Sequence, residues 1–332
     1  ASSSIGNSYS NGSAISIPGE GSNTLYLYVK DHAGHEATWN GTYKQDIYEP
    51  SVSVDKNLSG WTTDDIGPIT PTLTDNPPVS GTGSGINWDL SKYSWNDETP
   101  LPLTDGMTVT IPQDGVNKLN ITAYDNALNK RTWARTYLQD TNAPFLDISP
   151  RSEGWLAERP TISLKFEDEV NLFLYRYHQW NEQGWISSVD GDTTTIPGEG
   201  KNTLKLKARD NAGNVSDIFH DFYLDLHPPT ISNETYGLGT SNFYVMEDLT
   251  YSIKFTIKDS ASETLDYKLE IMAGETIIKK LSEGTTDSGL RFDLSWDGKN
   301  AAGQWVLDSI ENGIGYELRL TVQDNVRETV FS

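Results

Sequence analysis

The chain has 332 residues, no cysteine, and 25 Lys and Arg against 47 Asp and Glu, which gives a formal net charge of −22. The absence of cysteine excludes disulfides, zinc–thiolate sites and iron–sulfur clusters. So acidic a chain, with no basic patch, is not expected to bind nucleic acid or anionic membrane surfaces. At about 100–200 residues per domain, the length suggests two or three domains.

Three segments, residues 14–50, 109–144 and 194–229, repeat one pattern without gaps. Each begins with a Pro and a Gly, continues as an alternating apolar and polar run, turns through a sequence like Asp-Asn-Ala-Gly-Asn, and ends on an Asp before a Pro. Alternation with period two predicts a strand with one buried face, and Asn and Gly are typical of tight turns. The predicted inward residues are Leu25, Leu27 and Val29, then Leu119, Ile121 and Ala123, then Leu204, Leu206 and Ala208.

The remaining sequence repeats as well. A Gly-Trp pair recurs at 60–61 and 154–155, and strands are predicted to end at Asp75 and Asp168. A divergent fourth copy has strands at 251–259 and 316–325, separated by an insertion at 294–306 that the earlier copies lack. We find no amphipathic helix, and about seven short strands per ~90 residues are typical of a β-sandwich.

We therefore predict an all-β protein made of tandem immunoglobulin-like or fibronectin-like β-sandwiches in an elongated array. The predicted divisions are 1–46, the C-terminal half of one unit, followed by complete domains at 47–140, 141–225 and 226–332. Half a sandwich exposes strand edges. We accordingly expect residues 1–46 to be completed by further chain or to pair with a neighbour.

The motifs also resemble a known family. The repeated order of strand, Asp-Asn-Ala-Gly-Asn turn, strand and Asp-x-x-x-Pro resembles the tandem bacterial Ig-like repeats of secreted and surface proteins. The segment at 84–97 resembles a variant of these repeats, and residues 296–324 resemble the Ig-like module of the flagellar hook-capping protein. The resemblance implies a bacterial, extracellular chain that serves as a spacer, a stalk or a binding module.

Calcium is the cation that the acidic residues favour, because it takes six to eight oxygen ligands. Each junction has a strand-closing Asp beside a Pro-containing linker, each repeat has a turn Asp 15 residues earlier, and Asp75, Asp168 and Asp259 end other strands. If these strand ends converge, a junction can chelate calcium and stiffen the array, as in cadherin-like chains. The alternative is that Asp and Asn only cap turns and keep edges soluble. The candidate ligands are Asp31, Asp46, Asp125, Asp140, Asp210 and Asp225.

Tryptophan offers a second kind of site, since exposed aromatic rings can stack on sugars. Trp61 and Trp155, like Trp39 and Trp133, occupy matching positions, which favours a packing role. The candidates for surface ligand binding are Trp88, Trp95, Trp180 and Trp185.

Catalysis is not predicted, because most of the five histidines lie in repeat turns or linkers with no nucleophile motif beside them. We expect no cofactor other than calcium and no membrane insertion. The favoured function is a non-catalytic stalk, spacer or adhesive module, able to form part of a fibre. Two alternatives are the C-terminal accessory region of a secreted enzyme, such as a subtilisin-like protease or a glycosidase, and a carbohydrate-binding module. Expected partners are other domains of the same protein, neighbouring subunits, or surface glycans and host or cell-wall ligands.

Overall fold

The computed structural model describes residues 6–75, 83–170, 173–233, 250–306 and 315–332. These residues form 24 strands arranged in seven sheets and contain no helix, which confirms the predicted all-β class. The chain divides into two compact units, one comprising residues 1–142 with 211–214 and the other comprising 143–210 with 215–332.

The first unit opens with a two-stranded antiparallel hairpin of β1 (Gly21–Lys30) and β2 (Glu36–Gln45). The predicted alternation is present, but its apolar face is not buried. Leu27 is 43% exposed and Val29 is 63% exposed, whereas the matching Leu206 and Ala208 of the third copy are fully buried. No second sheet of the described residues covers this face, so the hairpin has the strands of a sandwich half without its core.

The rest of the first unit is a sandwich of two sheets, with strand orders β3-β5 and β4-β9-β8-β6-β7. Its core contains Leu119 and Ile121 from the predicted inward set, and Trp95 packs edge-to-face on Tyr137 with ring centroids 6.0 Å apart. The Tyr137 hydroxyl donates a hydrogen bond to the Lys56 carbonyl at 3.1 Å. The strands are β3 (Ser51–Val54), β4 (Trp61–Thr62), β5 (Pro71–Thr74), β6 (Lys92–Trp95), β7 (Leu101–Pro102), β8 (Gly115–Tyr124) and β9 (Lys130–Gln139).

The second unit begins with a sandwich of the same plan, with strand orders β10-β12-β15 and β11-β17-β16-β13-β14. Trp180 and Phe222 take the places of Trp95 and Tyr137, with ring centroids 5.7 Å apart. Its strands are β10 (Phe145–Ser149), β11 (Trp155–Leu156), β12 (Thr161–Glu167), β13 (Phe173–Trp180), β14 (Ile186–Ser187), β15 (Thr193–Thr195), β16 (Gly200–Asp210) and β17 (Val215–Leu224).

A third core lies in the last part of the second unit, between sheets of order β18-β19-β22 and β21-β20-β23-β24. Phe255 stacks on Phe292 with ring centroids 4.8 Å apart, and Trp296 is 1% exposed. The strands are β18 (Thr230–Asn233), β19 (Tyr251–Lys258), β20 (Thr264–Ala273), β21 (Thr276–Asp287), β22 (Arg291–Trp296), β23 (Tyr316–Gln323) and β24 (Glu328–Phe331). Each of the three cores draws on one of the predicted complete domains, although the exact boundaries stay predictions.

The repeated Gly and Asn at the start of β1, β8 and β16 have a common physical cause. Gly200 has a φ of 83°, a left-handed conformation that side chains with a Cβ rarely adopt. Two residues later, the Asn202 side-chain amide donates to the carbonyls of Gly198 and Gly200 at 2.8 and 3.1 Å. Asn117 and Asn23 make the same pair of bonds in their own copies. The repeat therefore encodes a fixed loop geometry ahead of each long strand.

Two matched substitutions test how burial differs between copies. Leu206→Ala removes a fully buried side chain and is expected to lower the free energy of unfolding of its sandwich by about 2–5 kcal/mol. Leu27→Ala, at the equivalent position of the exposed hairpin face, is expected to change stability by less than about 0.5 kcal/mol. Amide hydrogen exchange of the full chain measures both effects strand by strand, and equal losses of protection would contradict the difference in burial.

Candidate metal centres

Within each compact unit, three aspartates from different strand ends lie close together. In the first unit these are Asp46, Asp75 and Asp125, which follow β2, β5 and β8 and which we call the first acid triad. In the second unit Asp225, Asp259 and Asp324, after β17, β19 and β23, form the second acid triad. In each triad, one carboxylate oxygen from every member lies within 4.8 Å of the others.

Most carboxylate oxygens of the first acid triad accept hydrogen bonds. Both oxygens of Asp125 are bonded by Asn129, one from its backbone N–H and one from its side-chain amide, each at 2.8 Å. Asp46 accepts from the N–H of Ser84 at 2.6 Å, and Asp75 accepts from the N–H of Gly85 at 2.7 Å. Asp46 and Asp75 are half-buried. Hydrogen bonds and partial exposure to solvent thus stabilise much of the negative charge of the first acid triad.

Acidic neighbours nevertheless raise the pKa of one member. Burial, followed by the negative charges of Asp46 and Asp125, holds the pKa of Asp75 above its usual value despite the bond from Gly85. The same negative charges act on Glu20, whose pKa is also raised by burial and by the charges of Asp46 and Asp75. Despite burial, hydrogen bonds from Ser84 and Tyr48 hold the pKa of Asp46 below its usual value, so the repulsion is felt mainly by Asp75.

The second acid triad is more deeply buried. Asp225 is fully buried and Asp324 is 6% exposed. Asp259 Oδ1 accepts from the N–H groups of Ala261 and Ser262 at 2.8 and 2.7 Å, a local turn in which the side chain replaces a backbone acceptor. Asp324 Oδ1 likewise accepts from the next turn, the N–H groups of residues 326 and 327, at 2.7 and 2.5 Å.

One oxygen of each member of the second acid triad is left without a hydrogen-bond partner. These buried oxygens are Asp225 Oδ1, Asp259 Oδ2 and Asp324 Oδ2. The remaining oxygen of Asp225 accepts from the Ser262 hydroxyl at 3.3 Å, and the Asn325 side-chain amide donates to the same hydroxyl at 2.9 Å. The turns thus use one oxygen of two of these carboxylates, and each of the three keeps a buried oxygen that nothing in the described chain satisfies.

Burial and like charge also raise the pKa of one member of this triad, Asp225. Burial is the largest cause of the raised pKa of Asp225, and the charges of Asp259 and Asp324 raise it further. The Ser262 hydroxyl and the Arg327 guanidinium act in the opposite direction but do not offset the rise. Arg327 itself donates to the main-chain carbonyls of Asp225 and Leu226 at 2.7 and 2.9 Å.

The predicted calcium ligands are therefore distributed unevenly. Asp46 and Asp125 lie together, and Asp225 lies with Asp259 and Asp324 at two other strand ends, while calcium binding by these residues stays a prediction. Asp140, after β9, is 1% exposed, and Asp210, the last residue of β16, is fully buried.

Asp31 does not join the candidate set. It lies in the turn of the first hairpin, where its two oxygens contact the backbone N–H and the ring Nδ1 of His35, each at 2.9 Å. A ten-residue strand at ~3.3 Å per residue puts this turn roughly 33 Å from Asp46 at the other end of the hairpin. A turn acid thus meets the closing acid of the preceding repeat and not that of its own repeat, so the described residues bring no other predicted ligand to Asp31.

Sequence reasoning left out Asp324 and three further acids that the structure places at junctions. Glu20, Asp114 and Glu199 occupy one position in the repeated loop, and each accepts the N–H that follows a strand-closing Asp, at 3.1, 2.8 and 2.8 Å. Burial raises the pKa of Glu199, but hydrogen bonds from Ser260, the Leu226 N–H and His227 hold it below its usual value. The signal was present in the sequence, because an acid precedes the repeated Gly in all three copies.

The tryptophan candidates divide into core and surface residues. Trp95 and Trp180 are 7% and 5% exposed, so the prediction that they present surfaces to a ligand is wrong. Alternation puts them on the inner face, where they pack on Tyr137 and Phe222. Trp88 is half-buried against the core of the first unit. Trp185 is 39% exposed.

Packing explains only some of the tryptophans at repeat-matched positions. Trp133 packs against its core and Trp155 contacts Tyr223 at 5.4 Å between ring centroids, but Trp39 is 50% exposed.

One histidine contacts a serine, although not in a catalytic arrangement. His178 Nδ1 lies 2.6 Å from the Ser188 hydroxyl, and both residues are buried. Burial lowers the pKa of His178 despite the opposing charge of Asp192. Asp192 accepts instead from the Val189 N–H at 2.7 Å, and a serine that is 4% exposed cannot reach a substrate. The pair is a satisfied core contact.

Comparison with known proteins shows remote structural likeness. No family model and no curated protein matches the chain. A tetra-tandem repeat from the extending region of a large adhesion protein is similar at 17% identity, covering 94% of this chain and 81% of that one with a TM-score of 0.41. Extracellular cadherin domains 3–6 of protocadherin gamma B2 are similar at 13% identity, 93% and 81% coverage and a TM-score of 0.30.

A third likeness is to the fibronectin(III)-like modules of Clostridium thermocellum CbhA. Identity is 14%, coverage is 52% of this chain and 94% of that one, and the TM-score is 0.22. These neighbours are repeat domains of adhesive or modular proteins, and at such TM-scores the likeness is too remote to indicate function. Within the described ranges, no helix is long and apolar enough to cross a membrane.

The raised pKa of Asp225 predicts a pH-dependent effect of Asp225→Asn in metal-free buffer. At pH values above its raised folded pKa, the buried carboxylate is charged and destabilises the fold, so the neutral amide is expected to stabilise the fold there. Because the pKa of Asp225 is higher in the folded state than in the unfolded state, the wild type loses stability relative to the variant as pH rises through the folded pKa. The gain from the substitution should therefore vanish below the ordinary pKa of 3.8.

Calorimetry of the full chain with chelator at several pH values measures this difference. Asp217→Asn, at an exposed position of β17, is the matched control and is expected to show no such trend. Equal destabilisation by Asp225→Asn at all pH values would mean that hydrogen bonding outweighs charge.

Proposed function

We propose that this chain is a non-catalytic stalk or adhesive module of a bacterial surface or secreted protein. The observation that carries the proposal is the repetition of closed sandwich cores along the sequence, with the main clusters of ionisable groups at strand ends. A spacer needs folded units that are joined firmly, and an enzyme needs reactive groups around an accessible cavity. The described residues fit the first requirement.

Hydrogen bonds at the junctions support a firm connection between successive repeats. In the first unit, the Asn129 side-chain amide donates to the carbonyl of Asp46 at 3.1 Å, so the turn of one repeat holds the residue that follows the preceding hairpin. In the second unit Arg327 performs this task with two bonds, to the carbonyls of Asp225 and Leu226. Pro50, in the linker that follows the hairpin, is buried, and Pro restricts the residue before it.

The assignment to Asp-Asn-Ala-Gly-Asn-type bacterial Ig-like repeats belongs to the same proposal. In the last domain, the hook-cap-like segment is supported by local structure. The Trp296 indole N–H donates to the Lys299 carbonyl at 2.8 Å. The backbone of Lys299 pairs with that of Trp305 in an antiparallel β-bridge across the turn. Trp296 is also buried in the third core, so the motif joins a tight turn to the packing of its domain.

Single-molecule stretching tests the load-bearing role and the predicted domain boundaries together. Pulling on the two ends of the full chain is expected to give three unfolding events. Each should release about 90 residues, or roughly 300 Å at ~3.5 Å per residue. Extension without resolved events, or a single event for the whole chain, would contradict a series of independently folded sandwiches.

One surface favours carbohydrate binding as a second candidate function. In the sheet of β13, β14 and β16, Tyr175 and Tyr177 lie 5.3 Å apart between ring centroids. The Lys207 ammonium lies over Trp185 at 3.9 Å and within 6 Å of both tyrosine rings. Aromatic rings on one exposed sheet can stack on the apolar faces of sugars. The cation over Trp185 would have to move for that ring to stack.

Glycan-array binding tests this candidate. If the sheet binds sugars, Trp185→Ala should reduce the signal at least about tenfold, which corresponds to ~1.4 kcal/mol. Phe145→Ala, which removes an exposed aromatic ring on β10 in the other sheet of the same sandwich, should leave it unchanged. An array without any bound glycan, or equal loss with both variants, would eliminate this surface as the binding site.

A further inference from the structure

We propose that the second acid triad is a calcium site, with Asp225, Asp259 and Asp324 as its carboxylate ligands. This inference goes beyond the stalk function, since a series of sandwiches can serve as a spacer without any metal.

The separation of the carboxylates matches the size of the ion. Calcium binds oxygen at about 2.3–2.6 Å, so two ligands on opposite sides of one ion lie up to about 5 Å apart. One oxygen from each member of the triad lies within 4.8 Å of the others. Three oxygens at this spacing can therefore contact a single ion without moving the strands that carry them.

The local turns hold these carboxylates in place and leave oxygens to bind the ion. Asp259 and Asp324 each use Oδ1 to accept two backbone N–H groups, which fixes the orientation of the carboxylate plane. Their Oδ2 atoms and Asp225 Oδ1 are buried without a partner. A buried acceptor without a donor destabilises the fold, and more so when it is charged, so three of them together favour a compensating group.

The surrounding side chains do not supply that compensation. Among the described residues, the three carboxylates face one cation, Arg327, which donates hydrogen bonds to the main-chain carbonyls of Asp225 and Leu226. The same domain shows how a buried acid is otherwise neutralised. Glu270, 1% exposed, has Lys268 and Arg319 each 2.8 Å from its carboxylate. A divalent cation at the triad would provide the equivalent charge.

The donor set favours calcium over other divalent ions. It consists of oxygens alone, three carboxylates with the Ser262 hydroxyl beside Asp225, whereas zinc prefers nitrogen and sulfur ligands. Magnesium demands a rigid octahedron and keeps most of its water, while calcium accepts irregular sets of six to eight oxygens. An open groove of about 350 Å³, lined in part by Asp259, Ser262 and Glu263, gives an ion and its remaining water ligands a route to the triad.

Local hydrogen exchange of the full chain, with calcium alone as the probe, tests the site directly. Chelator-treated protein given millimolar calcium is expected to gain protection in segments 259–263 and 324–327, and its last thermal transition is expected to rise by about 4 °C or more. Asp324→Asn should abolish both effects, and calcium stoichiometry by titration calorimetry should fall by one ion per chain. The control Asp217→Asn should retain all three responses.

A second variant protects the test against a folding defect. Asp225→Asn keeps the side-chain volume and removes one charge, so it should fold in chelator at least as stably as the wild type and yet lose the response to calcium. The proposal is overturned if the wild type binds no calcium. It is equally overturned if calcium binds with protection confined to other segments, or if Asp324→Asn and Asp225→Asn bind as many ions as the wild type.

Discussion

Aspartates buried at the ends of strands are the constraint on which the rest of this chain depends. Asp125, Asp210 and Asp225 are fully buried, and a carboxylate removed from water must be hydrogen-bonded, paired or protonated, or must coordinate a metal. Each sandwich therefore surrounds its acids with turn N–H groups, Asn amides or an Arg. These contacts fix how one repeat follows the next within a unit, because the closing acid of one repeat meets the turn and strand ends of its successor.

The repeat ties the sandwich cores to these junctions. The Gly at the start of each long strand has the left-handed backbone that sets the preceding loop, and the Asn two residues later ties that loop to the strand. The loop also carries Glu20 or Glu199, which accepts the first N–H of the linker. Alternating residues further along the same strand fill the core. One strand thus links core packing to junction geometry, which explains why the motif recurs as a block.

Sequence periodicity predicted the strands well because alternation reports directly on which face is buried. It identified Leu119 and Leu204 correctly as core residues, but placed Leu27 in a core although it is exposed here, since the pattern does not say whether a second sheet is present. Trp95 and Trp180 were misplaced because a sequence of alternating aromatic and polar residues leaves open which set faces inward. Asp225, Asp259 and Asp324 are close because three strand ends meet that lie up to about a hundred residues apart in the sequence. The spacing of the acids indicated that strand ends converge, but not which aspartates meet there.

We propose that a cation rather than a proton compensates the charge of the second acid triad. A crystal structure grown in calcium at neutral pH distinguishes the two directly. We predict an anomalous-scattering peak that lies about 2.3–2.6 Å from one carboxylate oxygen of each of the three residues Asp225, Asp259 and Asp324. A short carboxyl–carboxylate hydrogen bond between two of these residues, with no ion peak beside them, would contradict the claim.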